Sequence, residues 1–273
     1  MMHFIPMAIL CFCIGLSSAR ADQSKYSAQY WGLQNTTEQS ERNRLIEFWG
    51  YHTYNGDQDY SNTLKLRYYQ PISIGNAWKG TARLDTSYIA QYGSDYPAHS
   101  SGQYSAGNTM LTIWGNHPGI LPTLHNNLGF RVIFPFGNNG QWALGPQVGS
   151  VFRPKEGSPT RLTDFSPLVR YMYGFDTKNN SAVSNSSHPA LLRTLELYPT
   201  LGFRLGTNTQ LRLWDENGIN YNTAGGGWFV PLDAMVTHRL SKHWLIAIGG
   251  SKRLVQTFSQ YDWSTYGKLS LSF

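Results

Sequence analysis

From Asp262 to Phe273 the side chains alternate between two faces without a break. Trp263, Thr265, Gly267, Leu269, Leu271 and Phe273 share one face, and Asp262, Ser264, Tyr266, Lys268, Ser270 and Ser272 share the other. A period of two is that of a β-strand. The run is longer than a strand of a soluble domain needs and suits a tilted membrane crossing. Other segments repeat the pattern. Leu128, Phe130, Val132, Phe134 and Phe136 lie opposite Gly129 and Arg131. Phe165, Val169, Tyr171, Tyr173 and Phe175 oppose Ser166, Arg170 and Gly174. Leu195, Leu197, Leu201, Phe203 and Leu205 oppose Glu196, Tyr198, Thr200 and Arg204, while Trp244, Ile246 and Ile248 alternate with Ala247 and Gly249. In water, faces this apolar need a second sheet over them. In a membrane barrel lipid covers them and the polar face lines the lumen.

The pattern predicts an all-β, transmembrane antiparallel up-and-down β-barrel of about twelve strands over 44–273. The strands fall near 44–54, 62–71, 77–91, 105–115, 126–137, 141–153, 163–176, 191–205, 208–216, 225–238, 242–252 and 261–273. An even count puts both ends of the barrel on the periplasmic side. Tight turns at Gly75-Asn76, Gly206-Thr207-Asn208 and Ser241-Lys242 then face the periplasm, and the long polar stretches 92–104 and 177–190 face outside. The tight turn 137–140 on the outside, and the long links 116–125 and 154–162 on the inside, depart from the rule of short periplasmic turns. Trp49, Trp78, Trp114, Trp142, Trp228, Trp244 and Trp263 sit near strand ends, as an interfacial aromatic girdle would. Gly225-Gly226-Gly227 reads as a place where a strand bends in the wall.

Composition agrees with export and membrane insertion. Residues 1–21 read as a signal peptide: an apolar run from Ile5 to Leu16, then Ala19 and Ala21 in small-x-small spacing. Both cysteines, Cys11 and Cys13, lie within it, so the mature chain carries no disulfide and no thiolate chemistry. Loss of Arg20 leaves 21 basic against 16 acidic residues, a net charge of +5. Charged residues make up only 14% of the chain, against roughly 25% in soluble domains. No mature stretch is apolar for long enough to cross as a helix. Residues 22–43 form a polar N-terminal arm, placed either in the periplasm or as a plug in the lumen.

The faces opposite the apolar ones give candidate lumen residues: Lys65, Arg67, Arg83, Asp85, Arg131, Arg170, Glu196, Arg204, Arg212, Asp233 and Lys268. Eight are basic and three acidic. Burying so many unpaired ions costs several kcal/mol each, so either water fills the lumen or the charges pair across it. The first alternative gives a field that favours anions. The second gives a network that holds a narrow barrel together.

Enzymatic chemistry has less support. The histidines His52, His99, His117, His125, His188, His238 and His243 form no Ser/His pattern of a barrel lipid hydrolase, and Ser187-His188 are strand neighbours that would point apart. No catalytic residue is assigned. No metal site is assigned, because His117 and His125 are separated by two prolines without nearby carboxylates. No cofactor is assigned, because no helix-borne phosphate loop follows the triple glycine. The basic residues are dispersed along strands, which argues against nucleic acid as a partner. Phe273, closing the last strand, resembles the C-terminal aromatic by which the outer-membrane assembly machinery recognises its substrates.

Several stretches resemble outer-membrane "transporter" proteins of the MetA pathway of phenol degradation. They are Phe134-Pro-Phe-Gly-Asn-Asn-Gly-Gln-Trp142, Leu144-Gly-Pro-Gln-Val-Gly-Ser-Val-Phe152, Leu195-Glu-Leu-Tyr-Pro-Thr-Leu-Gly-Phe203, Gly227-Trp-Phe-Val-Pro-Leu-Asp233 and Gly249-Gly-Ser-Lys-Arg-Leu254. The resemblance spans roughly 64–273 and implies uptake of small, including aromatic, molecules. It transfers no functional residue. The combined expectation is a bacterial outer-membrane channel for passive uptake of small polar, anionic or aromatic-acid solutes. Its partners would be outer-membrane lipid, the assembly machinery and a small-molecule solute. The competing expectations are a plugged structural or adhesive barrel, a lipid hydrolase, and a soluble periplasmic sandwich.

Overall fold

A computed structural model describes residues 44–56, 59–74, 78–92, 103–116, 128–136, 141–154, 159–177, 192–257 and 260–273. These residues form fourteen strands. In chain order they are β1 (Leu45–Gly56), β2 (Asp59–Ile74), β3 (Trp78–Tyr92), β4 (Gln103–Ala106), β5 (Thr109–Asn116), β6 (Leu128–Phe134) and β7 (Gln141–Gly149). They continue with β8 (Leu162–Thr177), β9 (Arg193–Arg204), β10 (Thr209–Leu213), β11 (Ile219–Asn222), β12 (Trp228–Arg239), β13 (Trp244–Gln256) and β14 (Trp263–Ser272). Two pairs each fill one place in the wall. β4 and β5 both pair with β3, and β10 and β11 both run between β9 and β12. The wall therefore has twelve places. All its pairings are antiparallel, and β1 closes it against β14 from Leu45↔Ser272 to Tyr54↔Trp263. The signal segment 1–21, the arm 22–43, the turn 75–76, the link 137–140, all of the link 116–125 after Asn116, and most of 92–104 and 177–190 lie outside the described residues.

Alternation decides which way each side chain points. Phe48, Leu64 and Ile248 are 55%, 68% and 72% exposed, and they are joined on the outside by Leu66, Leu84, Phe130, Leu144 and Phe175. The intervening residues are buried: Glu47, Asp85, Asp164, Arg170, Arg212, Asp233 and Lys268. An apolar exterior around a charged interior is the reverse of a soluble domain, and only lipid accounts for it. Ile248 pairs with Gly267, near the middle of β14. Ile248→Lys should therefore cost about 2–4 kcal/mol of barrel stability in lipid vesicles. Urea unfolding followed by tryptophan fluorescence checks this.

Three details differ from the sequence expectation. Trp49 and Trp114 do not belong to a girdle. They are buried, 3% and 4% exposed, and project inward on the faces of Glu47 and Thr112. The inner wall also needs aromatic packing: Trp49 stacks on Tyr51, and Tyr69 meets Trp114 edge-on. Gly225-Gly226-Gly227 is a turn between β11 and β12, not a bend within a strand. Gly226 and Gly227 have φ of 73° and 118°, which favour glycine, and Asn222 N donates to Gly227 O. The predicted strand 208–216 stops at Leu213, where the chain leaves the wall and re-enters it at Ile219.

Candidate functional site

The departure from the wall builds the site. Trp214 has φ of 50°, uncommon for a non-glycine residue, and turns the chain inward. The turn is pinned on both sides. Trp214 N donates to Asp233 O (3.1 Å) and Trp214 Nε1 to Pro231 O (2.8 Å), while Thr200 Oγ1 donates to Trp214 O (2.7 Å). Gly218 permits the return: a Cβ there would collide with Leu197 O and the Tyr198 ring. Between these points Asp215, Glu216 and Asn217 extend into the lumen.

Glu216 crosses it. β10 and β11 lie five wall places from β2, nearly opposite. Arg67 of β2 holds both carboxylate oxygens of Glu216, at 2.7 and 2.8 Å. Tyr51 OH donates to Glu216 at 2.6 Å, and Lys65 Nζ lies 3.4 Å away. Bidentate Arg–carboxylate pairing is among the strongest geometries for such a contact. Asn217 Nδ2 donates to Asp233 (2.9 Å), which also accepts from Tyr266 OH (2.7 Å). Asp215 pairs with Arg212 (2.9 Å), which in turn meets Asp164 (3.1 Å). The segment is a bar across the middle of the barrel, tied to the wall at each residue.

A second cluster lies at the seam where the barrel closes. Glu47 accepts from Lys268 Nζ (3.0 Å), Ser270 Oγ (3.1 Å), Tyr69 OH (3.0 Å) and Trp49 Nε1 (2.9 Å). Arg67 stacks over Trp49 at 4.5 Å and pairs with Asp85 at 2.9 Å, linking seam and bar.

Of the residues expected in the lumen, Lys65, Arg67, Arg83, Asp85, Arg131, Arg170, Glu196, Arg212, Asp233 and Lys268 project inward in the middle of the barrel. Arg204 shares their strand face but ends β9 at the rim, where it is exposed. The lumen also contains Glu47, Asp164, Asp215 and Glu216, which strand periodicity alone did not identify. Seven cations thus face seven carboxylates, and the expected basic excess is absent among the described residues. The reason is local. Glu47 lies among apolar residues on both faces, Asp164 follows a register shift between Leu162 and Asp164, and Asp215 and Glu216 occupy the break. Arg83 pairs with Asp85 (2.9 Å) and Arg170 with Glu196 (3.2 Å). Arg131 differs: its side chain bonds Thr112 Oγ1 (3.0 Å) and has no carboxylate at ion-pair distance among the described residues.

Beside the bar lies a cavity of about 280 Å³. Lys65, Arg67, Arg83, Arg131 and Arg170 line it with Asp215 and Glu216, and Trp49, Tyr69, Trp114 and Tyr198 supply aromatic faces. Phe273 is half exposed at the rim. Its backbone N–H and C=O bond those of Arg44, which carries the ladder to the chain end. Among the histidines, His52, His238 and His243 are described, and each is bonded through Nδ1, to Asn62, Thr209 and Ser272 respectively.

No family model matches the chain, and no curated protein matches it. Solved structures do. An outer membrane channel from Pseudomonas putida F1 superposes with a TM-score of 0.59 at 11% identity, covering 85% of this chain and 95% of that one. The β domain of the Bordetella autotransporter BrkA gives 0.48 at 16% identity, over 85% and 99%. CdiB from Acinetobacter baumannii gives 0.36 at 10%, over 84% and 47%. With its closed twelve-place wall and lipid-facing exterior, the chain has the fold of a Gram-negative outer-membrane β-barrel.

Proposed function

We propose that the protein is an outer-membrane channel for passive uptake of small polar or anionic solutes, aromatic acids among them. We further propose that it belongs with the phenol-degradation transporters its sequence resembles. One observation carries the reading. The lumen keeps a polar cavity of about 280 Å³ beside the bar, lined by five cations, of which Arg131 has no carboxylate partner. Elsewhere among the described residues six lumen cations face seven carboxylates, so this is where an anion gains most from the field. The cavity is small for a ligand site, which restricts traffic to small molecules.

In planar bilayers with a salt gradient, the refolded mature protein should give small, discrete openings, with a reversal potential displaced toward the anion. A folded but silent barrel would instead favour a plugged structural role. The bar itself favours that second reading, since Glu216 closes across the lumen onto Arg67 and Tyr51.

A further inference from the structure

We propose that the cavity beside the bar holds a binding site for a small hydroxycarboxylate monoanion, recognised by Arg131, Arg170, Trp114 and Gln147. This deepens the channel reading, on whose solute path the site would lie.

Three independent observations point to one ligand. The first is charge. Arg131 on β6 stands near Arg83, Arg170 and Glu196. Arg170 pairs with Glu196 and Arg83 shares Asp85 with Arg67, while Arg131 has no carboxylate at ion-pair distance among the described residues. One carboxylate is enough to give Arg131 a partner, so a monoanion suffices. The second is a set of orphaned polar atoms. Trp114 Nε1, Gln147 Oε1 and Arg170 Nε are buried and make no hydrogen bond among the described residues. Their residues are 4%, 7% and 4% exposed, and all three line this cavity. Buried polar atoms are rarely left without a partner. Two of these orphans are donors and one is an acceptor. A carboxylate supplies oxygens for Arg131, Arg170 and the Trp114 indole, and a hydroxyl on the same ligand donates to Gln147 Oε1. The third is room. Arg131 pairs across the wall with Gly145, and Arg170 with Gln147, so the cation and the acceptor stand on adjoining strands. The cavity of about 280 Å³ that they line beside the bar has the volume for a small organic acid.

The test is titration calorimetry on the folded, detergent-solubilised mature chain, with lactate as probe and lactamide as its uncharged counterpart. Lactate should bind saturably and lactamide should not. Arg131→Gln should weaken lactate binding by at least about tenfold, the scale of one charge-assisted hydrogen bond. Arg131 has no carboxylate partner to lose, so this variant leaves the ion-pair network intact. Gln147→Glu, which sets a carboxylate against the ligand, should weaken binding as much. Absence of saturable lactate binding, equal binding of lactamide, or undiminished binding by Arg131→Gln would each overturn the site. Lactate block of single-channel current separates this proposal from the channel reading. Binding without any ion current sinks the channel and keeps the site. Current without binding keeps the channel and sinks the site.

Discussion

Glu216→Ala should open the barrel: single-channel conductance should rise about twofold or more, and selectivity should shift further toward anions. The expectation follows from where the carboxylate sits. Glu216 is the only part of the bar that reaches β2, and it holds Arg67 with both oxygens while also engaging Tyr51 and Lys65. Removing it frees the far end of the bar and takes one negative charge from the middle of the lumen. A ring of cations no longer balanced by that charge attracts anions more strongly. The fold should survive, because Arg67 keeps Asp85 at 2.9 Å and Glu47 at 3.9 Å. Bilayer recordings at a fixed salt gradient measure both quantities together. Unchanged conductance and reversal potential in a folded variant would show that ions do not pass the bar.

Glu47→Ala should be the most damaging single change to stability, at about 3–5 kcal/mol. Glu47 is fully buried and accepts from four side chains. Truncation leaves the Lys268 ammonium and the Arg67 guanidinium close together in a site where each is more than nine-tenths buried. Removing one member of a buried ion pair costs far more than the pair contributes when intact. The test is urea unfolding in vesicles beside the double variant Glu47→Ala/Lys268→Met, which removes the ammonium that Glu47 neutralises. The double variant should recover a large part of the loss. A single variant as stable as the parent would mean that water reaches Lys268.

Both predictions rest on residues that strand periodicity did not reveal, and the reason is physical. Period-two alternation reports the lipid face well, because lipid demands apolar side chains at every outward position. Leu128, Phe130 and Val132, or Leu195 and Leu197, could be assigned from the pattern alone. The inner face has no such rule. Leu45 and Trp49 point inward with Glu47, so β1 reads as apolar on both faces and its carboxylate carries no mark of direction. The same mixture places Trp49 and Trp114 inside a barrel whose other tryptophans could be expected at the interface. Asp215 and Glu216 were hidden for a different reason. Their inward course depends on a backbone angle at Trp214 and on the space left by Gly218, neither of which alternation encodes. The cations of the lumen were legible and their partners were not, so a sequence that reads as basic inside folds to near balance.

The closing seam also bears on the order of assembly. Glu47 lies three residues into the first strand, and its partners Lys268 and Ser270 are in the last. No neighbouring hairpin can supply them, and contacts this distant in sequence form late. Until β14 arrives, Glu47 stands at an open edge without the ammonium that neutralises it, while Lys268 waits on the other. The two edges therefore carry opposite charges two residues apart in register, Glu47 opposite Ser270 and Lys268 opposite Trp49. Docking the last strand joins the hydrogen-bond ladder and discharges both edges in a single event, and a slipped register would leave them mismatched.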